Sequence, residues 1–164
     1  MSDPAVNLSR YVVVAVDGSE ASREALREGH RMAELLGAPL AAVTSWHLSR
    51  GLFPPTSWTP EPDAELLLTD SIREAFRGMH VPVVHHVTVN GAPAESLIKL
   101  SADAALLVLG SRGHSGIAGV MLGSVSSVCA AHALCPVLIV HPPAARTVVA
   151  AQDADSLAPF HAAV

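Results

Sequence analysis

The chain has 164 residues, half of them hydrophobic, and 10 Lys and Arg against 15 Asp and Glu give a formal net charge of −5. That length suits one domain with a substantial core, and no apolar run is long enough to span a bilayer. The acidic balance and a single lysine, Lys99, argue against a nucleic-acid-binding face.

The N-terminus has no basic start leading into a long apolar stretch, so no secretory signal is read and a soluble, cytoplasmic protein is expected. Residues 1–10 read as an N-terminal arm, 11–142 as the folded domain and 143–164, alanine-rich and without sustained periodicity, as a flexible tail.

Tyr11–Val16 is a continuous β-branched run, the pattern of a strand buried on both faces of a parallel sheet. Asp17, Gly18 and Ser19 break it, and Ser19 can cap a helix while leaving Asp17 free. Ala21, Ala25, Gly29, Ala33 and Leu36 then recur at helical spacing, a stripe of mostly small residues suited to close packing on a sheet. Gly37 and Pro39 end that helix, and Leu40–Trp46 reads as a second strand.

Four prolines make 50–62 an irregular loop, and a second helix is expected from Asp63 with Ala64, Leu68, Ile72 and Ala75 or Phe76 on its inner side. Gly78 closes it. Val81–Val89 reads as a third strand, placed at an edge because Pro82 cannot donate to a ladder. Asn90 and Gly91 turn the chain, Pro93 opens a third helix, and Ala104–Leu109 is a fourth strand. Ser124–Ala133 reads as a fourth helix and Pro136–His141 as a fifth strand. Strands alternating with helices imply a parallel sheet covered by helices.

Between the fourth strand and the fourth helix lies the glycine-rich stretch 110–123. In open parallel sheets ligands bind beyond the carboxyl ends of the strands, near the point where strand order reverses. Asp17 ends the first strand and Gly110 the fourth; if these strands are neighbours, the two flank one crevice. Gly110 and Gly113 can expose backbone N–H groups, and the first amides of the helix opened by Gly123, Ser124, Val125 and Ser126 carry partial positive charge. Ser124 and Ser126 add hydroxyls and Arg112 a full charge, which makes a phosphate site. A helix cap followed by an ordinary loop is the competing reading. The stretch is neither a Walker A loop, lacking Gly-Lys-Ser/Thr, nor a serine nucleophile elbow.

Val-Ala-Val-Asp-Gly-Ser after the first strand, Leu-Gly-Ser-Arg-Gly-His after the fourth, and Leu-Gly-Ser-Val-Ser followed by Cys-Pro-Val-Leu-Ile-Val resemble the universal stress protein family over Tyr11–His141. Gly110, Gly113, Gly123 and Ser124 meet the spacing G-x-x-G, nine residues, G-Ser/Thr that marks the family's ATP-binding branch. The resemblance implies an open five-stranded parallel sheet in the order 3-2-1-4-5, Rossmann-like, with helices on both faces. It also implies an ATP site with Mg2+ accompanying the nucleotide. By motif position, Gly110, Arg112, Gly113, Gly123, Ser124, Val125 and Ser126 surround phosphates and ribose. Asp17 faces the ribose or a phosphate-bound metal ion, and Ser45 offers backbone groups to adenine. A hydroxyl at Ser45 departs from the small apolar residue more usual there, and Gly29-His30 departs from a bulkier pair on the first helix.

The function so implied is that of a nucleotide-dependent regulator in stress response. A slow metal-dependent ATPase and a dimeric scaffold without nucleotide are the alternatives. Asp17 and His114 are the only groups suited to phosphoryl chemistry, so binding is favoured over turnover. The fifth strand would be an edge, and self-pairing across a two-fold axis would cover it in a homodimer. His85 and His86, adjacent in one strand, point to opposite faces, and the remaining histidines lack ligand spacing, so no metal cluster is expected from them. Cys129 and Cys135 read as structural thiols.

Overall fold

The computed structural model describes residues 8–46, 60–112 and 122–142, the side chains of residues 60 and 61 excepted. Five strands, β1 (Val12–Ala15), β2 (Leu40–Trp46), β3 (Val84–Asn90), β4 (Leu106–Gly110) and β5 (Val137–Val140), form one parallel sheet in the order β3-β2-β1-β4-β5. β1 is central: Val12 is in register with Leu40 on one side and Leu106 on the other. Helices α1 (Glu20–Leu36) and α2 (Pro60–Ala75) cover one face, and α3 (Pro93–Ser101) and α4 (Ser124–His132) the other. Alternate residues of β1 therefore enter different cores, Val12 and Val14 under α1 and α2, Val13 under α3 and α4. This explains why the strand shows no polar alternation. Leu8, within the expected N-terminal arm, is also buried in the second core. Among the described residues no helix is long and apolar enough to cross a membrane.

Ser19 caps α1, its Oγ accepting from Ser22 N–H at 3.1 Å, and Gly37 ends the helix in the left-handed conformation at φ 59°. Ala21, Ala25, Leu26, Gly29 and Ala33 face the sheet. Leu36, expected in that stripe, is instead 57% exposed. The reason is length: a helix of 17 residues runs about 25 Å, whereas the four residues of β1 span roughly 13 Å, so the last turn overhangs the sheet. Gly29 explains the departure from a bulkier residue. A Cβ there would overlap Val14 Cγ2, and Val14 is fully buried.

α2 starts at Pro60 rather than Asp63, so Pro60 and Pro62 belong to the helix and not to the expected loop. First-turn N–H groups have no intrahelical partner, and proline costs nothing there. The rest of the proline-rich loop, residues 50–59, lies outside the described residues. Ala64, Leu68, Ile72, Ala75 and Phe76 are buried as the periodicity indicates. Arg27 Nε donates to Ala75 O at 2.7 Å, so α1 closes the C-terminal end of α2. β3 starts at Val84, later than its hydrophobic run, because Pro82 precedes the ladder; Val83 is 86% exposed. His86 Nδ1 meets Glu65 Oε1 at 2.7 Å on the α2 side while His85 stacks edge-on against Tyr11, the opposite orientations expected of strand neighbours. Burial raises the pKa of Cys129 and Cys135 above the ordinary thiol range. Cys129 is fully buried, whereas Cys135 is only half-buried.

Gly29→Ala tests the helix–sheet contact. Alanine improves helix propensity by about 1 kcal/mol, whereas forcing a methyl into a filled core costs about 1–3 kcal/mol, so the variant is expected to lose stability in urea denaturation. A gain would mean that Val14 yields freely.

Candidate functional site

β1, β2 and β3 are laid down in succession toward one edge, and the chain then returns to add β4 on the other side of β1. At that reversal the connections leaving β1 and β4 diverge, and a cavity of about 410 Å3 opens at the carboxyl ends of the strands. Asp17, Ser45, Gly110, Arg112, Gly123, Ser124, Val125 and Ser126 all line it. Residues up to 109 positions apart in sequence, from Asp17 to Ser126, are thus brought together. Gly113 and His114 lie outside the described residues.

Asp17 follows the end of β1 and is exposed at the cavity wall. It is not left free by the Ser19 cap: its Oδ1 accepts from Ser19 N–H at 3.0 Å, so aspartate and serine together shape the turn into α1. Both roles arise because the turn needs acceptors for amides that no helical carbonyl reaches.

Gly110 lacks a side chain for a reason internal to the protein. A Cβ there would lie 2.8 Å from the carbonyl carbon of Ala21 and 3.0 Å from its oxygen. The N-terminal turn of α1 therefore rests directly on the end of β4. Gly123 has an ordinary φ of −61°, so no left-handed turn requires it. It is the N-cap of α4, it offers no side-chain cap, and its N–H donates to Ser111 O at 2.8 Å. Ser111 N–H in turn donates to Val140 O at 2.7 Å, tying the start of α4 to β4 and β5.

α1 and α3 each carry an acid in the first turn, Glu20 and Glu95, whereas α4 carries none. The partial positive charge at the α4 N-terminus is thus answered neither by a capping side chain nor by a carboxylate on its first turn. Arg112, half-buried on the same wall, adds a full positive charge. Ser124 is exposed, but Ser126 is buried and its Oγ donates to Gly110 O at 2.6 Å. The Ser126 proton expected for a phosphate is therefore already committed.

Much of the cavity lining is apolar, with Val43, Val89, Leu97 and Leu109 joined by Pro93 and Thr44. Sequence reasoning named none of these as site residues. Val89 and Leu109 share a signal of position, each the penultimate residue of its strand, and Pro93 starts the helix that follows β3, whereas Val43 stands mid-strand in β2 and carries no such signal. An apolar slot leading to a concentrated positive end suits a flat, weakly polar ring carrying an anion.

The sequence model of the Universal stress protein family matches residues 9–141. A universal stress protein of Mycobacterium tuberculosis is 34% identical over 145 residues, covering 82% of this chain and 48% of its own length. One from Methanocaldococcus jannaschii is 28% identical, covering 84% of this chain and 85% of its own. The chain spans about half the length of its mycobacterial relatives. Among solved structures, a universal stress protein in complex with cAMP is 28% identical with a TM-score of 0.58, covering 84% of this chain and all of that one. UspA of Lactobacillus plantarum, 24% identical with a TM-score of 0.61 and covering 82% of this chain and 99% of its own, shares the fold.

Gly110→Ala is expected to lose about 1–3 kcal/mol of stability in chemical denaturation, because the clash is with backbone and cannot be relieved by a rotamer change. Wild-type stability in this variant would show that α1 can withdraw from β4.

Proposed function

The chain belongs to the universal stress protein family, and from that premise we propose that its cavity binds an adenine nucleotide, ATP with Mg2+, whose presence regulates partners in a stress response. The observation that carries this reading is the uncapped, acid-free N-terminus of α4, which shares one cavity with Arg112 and an apolar slot. The phosphates lie against the amides of Ser124 and Val125, with the Ser124 hydroxyl and Arg112 alongside. The base occupies the slot between Val43, Val89 and Leu97, within reach of Ser45. The relative solved with cAMP supports an adenine-bearing ligand.

Mg2+ fits as a passenger of the nucleotide. Among the described residues no group of three His, Cys, Asp or Glu side chains could hold an ion alone. Among the described residues Asp17 is the one carboxylate on the cavity wall, and magnesium characteristically binds through one or two carboxylates plus substrate phosphates. When bound, the ion would neutralise phosphate charge. Asp17 and Arg112 are the only charged side chains among the described residues of the wall.

The protein also forms a homodimer through β5. Pro136 O accepts from Leu107 N–H and Val140 O from Ser111 N–H, so alternate residues of β5 face β4. The main-chain groups of Val137 and Ile139 consequently point away from it, toward the outer edge. A second copy supplies their partners and covers side chains that are only half-buried in the single chain.

Calorimetric titration with ATP, cAMP and GTP, with and without Mg2+, tests the ligand. ATP is expected to bind, and Ser124→Glu to weaken it at least about tenfold by placing a carboxylate where phosphate sits, while thermal stability holds or rises because the acid complements the helix dipole. Wild-type protein that binds no adenine nucleotide sinks the reading. Ile139→Pro removes an outward N–H and leaves the β4 ladder intact, and is expected to convert dimer to monomer in sedimentation; a wild-type monomer at micromolar concentration overturns the dimer.

A further inference from the structure

We infer that Ser126 is a positioning residue for the bound nucleotide: through the Gly110 carbonyl it aims the amides of α4 at the phosphates, and its hydroxyl touches no ligand. This rests on the nucleotide reading of the cavity and departs from it at one residue, which motif position alone would place against phosphate or ribose.

Among the described residues two hydrogen bonds tie the N-terminal turn of α4 to the end of β4 and the residue after it. One is main chain to main chain, from Gly123 N–H to Ser111 O at 2.8 Å, and is indifferent to side-chain identity. The other is Ser126 Oγ–H to Gly110 O at 2.6 Å. Ser126 is the third residue of α4 and only 5% exposed, so its hydroxyl proton has a short, enclosed acceptor and little water to exchange with. The acceptor is hemmed in. Gly110 abuts the main chain of Ala21 and is in register with Val140 of β5. The hydroxyl therefore fastens α4, a nine-residue helix, to the end of β4.

Gly123 N–H is occupied by Ser111, which leaves the amides of Ser124, Val125 and Ser126 as the first-turn donors without intrahelical acceptors. Their direction is set by how the turn sits, and the Gly123 and Ser126 bonds tie down its first and last residues. The same bond engages the carbonyl oxygen of Gly110, a residue of the cavity wall. Unmasked, Gly110 O would present negative partial charge to an incoming phosphate. Removing the hydroxyl thus harms anion binding twice, by loosening the donors and by exposing an acceptor, without deleting any contact to the ligand.

The test compares wild type, Ser126→Ala, Ser126→Thr and Ser126→Val in titrations with ATP, 2′-deoxyATP and adenosine, alongside melting curves without ligand. Ser126→Ala is expected to weaken ATP and 2′-deoxyATP equally, by about tenfold, the factor that one lost hydrogen bond of about 1.4 kcal/mol corresponds to, to leave adenosine within about twofold, and, without ligand, to move the Ser124 and Val125 amide resonances that Ser126→Thr leaves in place; the same loss with those resonances unmoved marks a hydroxyl that contacts phosphate and overturns the proposal. Ser126→Thr, which keeps the hydroxyl, is expected to bind ATP as wild type does. Should Ser126→Ala fail to fold, Ser126→Val against Ser126→Thr makes the same comparison, with valine weak and threonine normal. Wild-type ATP affinity in Ser126→Ala overturns the proposal alone. So does a loss against ATP but not 2′-deoxyATP, the mark of a hydroxyl that touches the ribose. So does an equal loss against adenosine, the mark of a cavity merely disordered. Absence of nucleotide binding by wild type overturns the nucleotide reading and this proposal with it.

Discussion

The close approach of α1 to the end of β4 is the constraint from which the site follows. With Gly110 against the main chain of Ala21, the helix that leaves β1 is pressed onto the neighbouring strand, and the two connections must part just beyond it. The cavity is the space so created. Its floor inherits the rigidity of a sheet paired on both sides of β1 and β4, with cores packed against both faces. Small residues on α1 are what allow it. Ala21, Ala25, Gly29 and Ala33 bring the helix axis near enough for main chain to touch main chain.

The net charge of −5 does not decide the character of the cavity, because the field that matters there is local. The α4 N-terminus carries no compensating acid, and Arg112 stands on the same wall. Several cations elsewhere are paired with acids, as is Lys99 with Glu95, where the ammonium draws the carboxyl pKa below its usual range. Such exposed pairs contribute little to stability and leave the cavity electrostatics to the helix end.

The two defining glycines work differently. Gly110 is required by a protein–protein contact inside the chain, not by ligand approach, and Gly123 occupies an N-cap with an unremarkable φ. Serine or asparagine at that cap would stabilise the helix better, since glycine brings no acceptor. What glycine leaves open is the set of amides that a capping oxygen would otherwise occupy.

Several features were legible in the linear order of residues because they rest on local physics. Ser19 and Gly37 bound α1, Pro93 opens α3, and unbroken apolar runs mark strands buried on two faces. The spacing of Gly110, Gly123 and Ser124 marked the pocket wall, and the resemblance carried by that spacing implied the strand order 3-2-1-4-5 that the sheet adopts. Other features depend on what meets what in space. Leu36 is exposed because α1 outruns β1, and Asp17 is engaged because Ser19 N–H needs an acceptor. Ser126 spends its proton on Gly110, and Val43, Val89 and Leu97 become one slot only once β2, β3 and α3 converge. The sequence by itself determined the elements and the residue types available to the site, since caps, turns and periodicity act within a few residues. Tertiary structure alone decided which polar groups remain available to a ligand, because a hydrogen bond is settled by the distance between atoms that folding brings together.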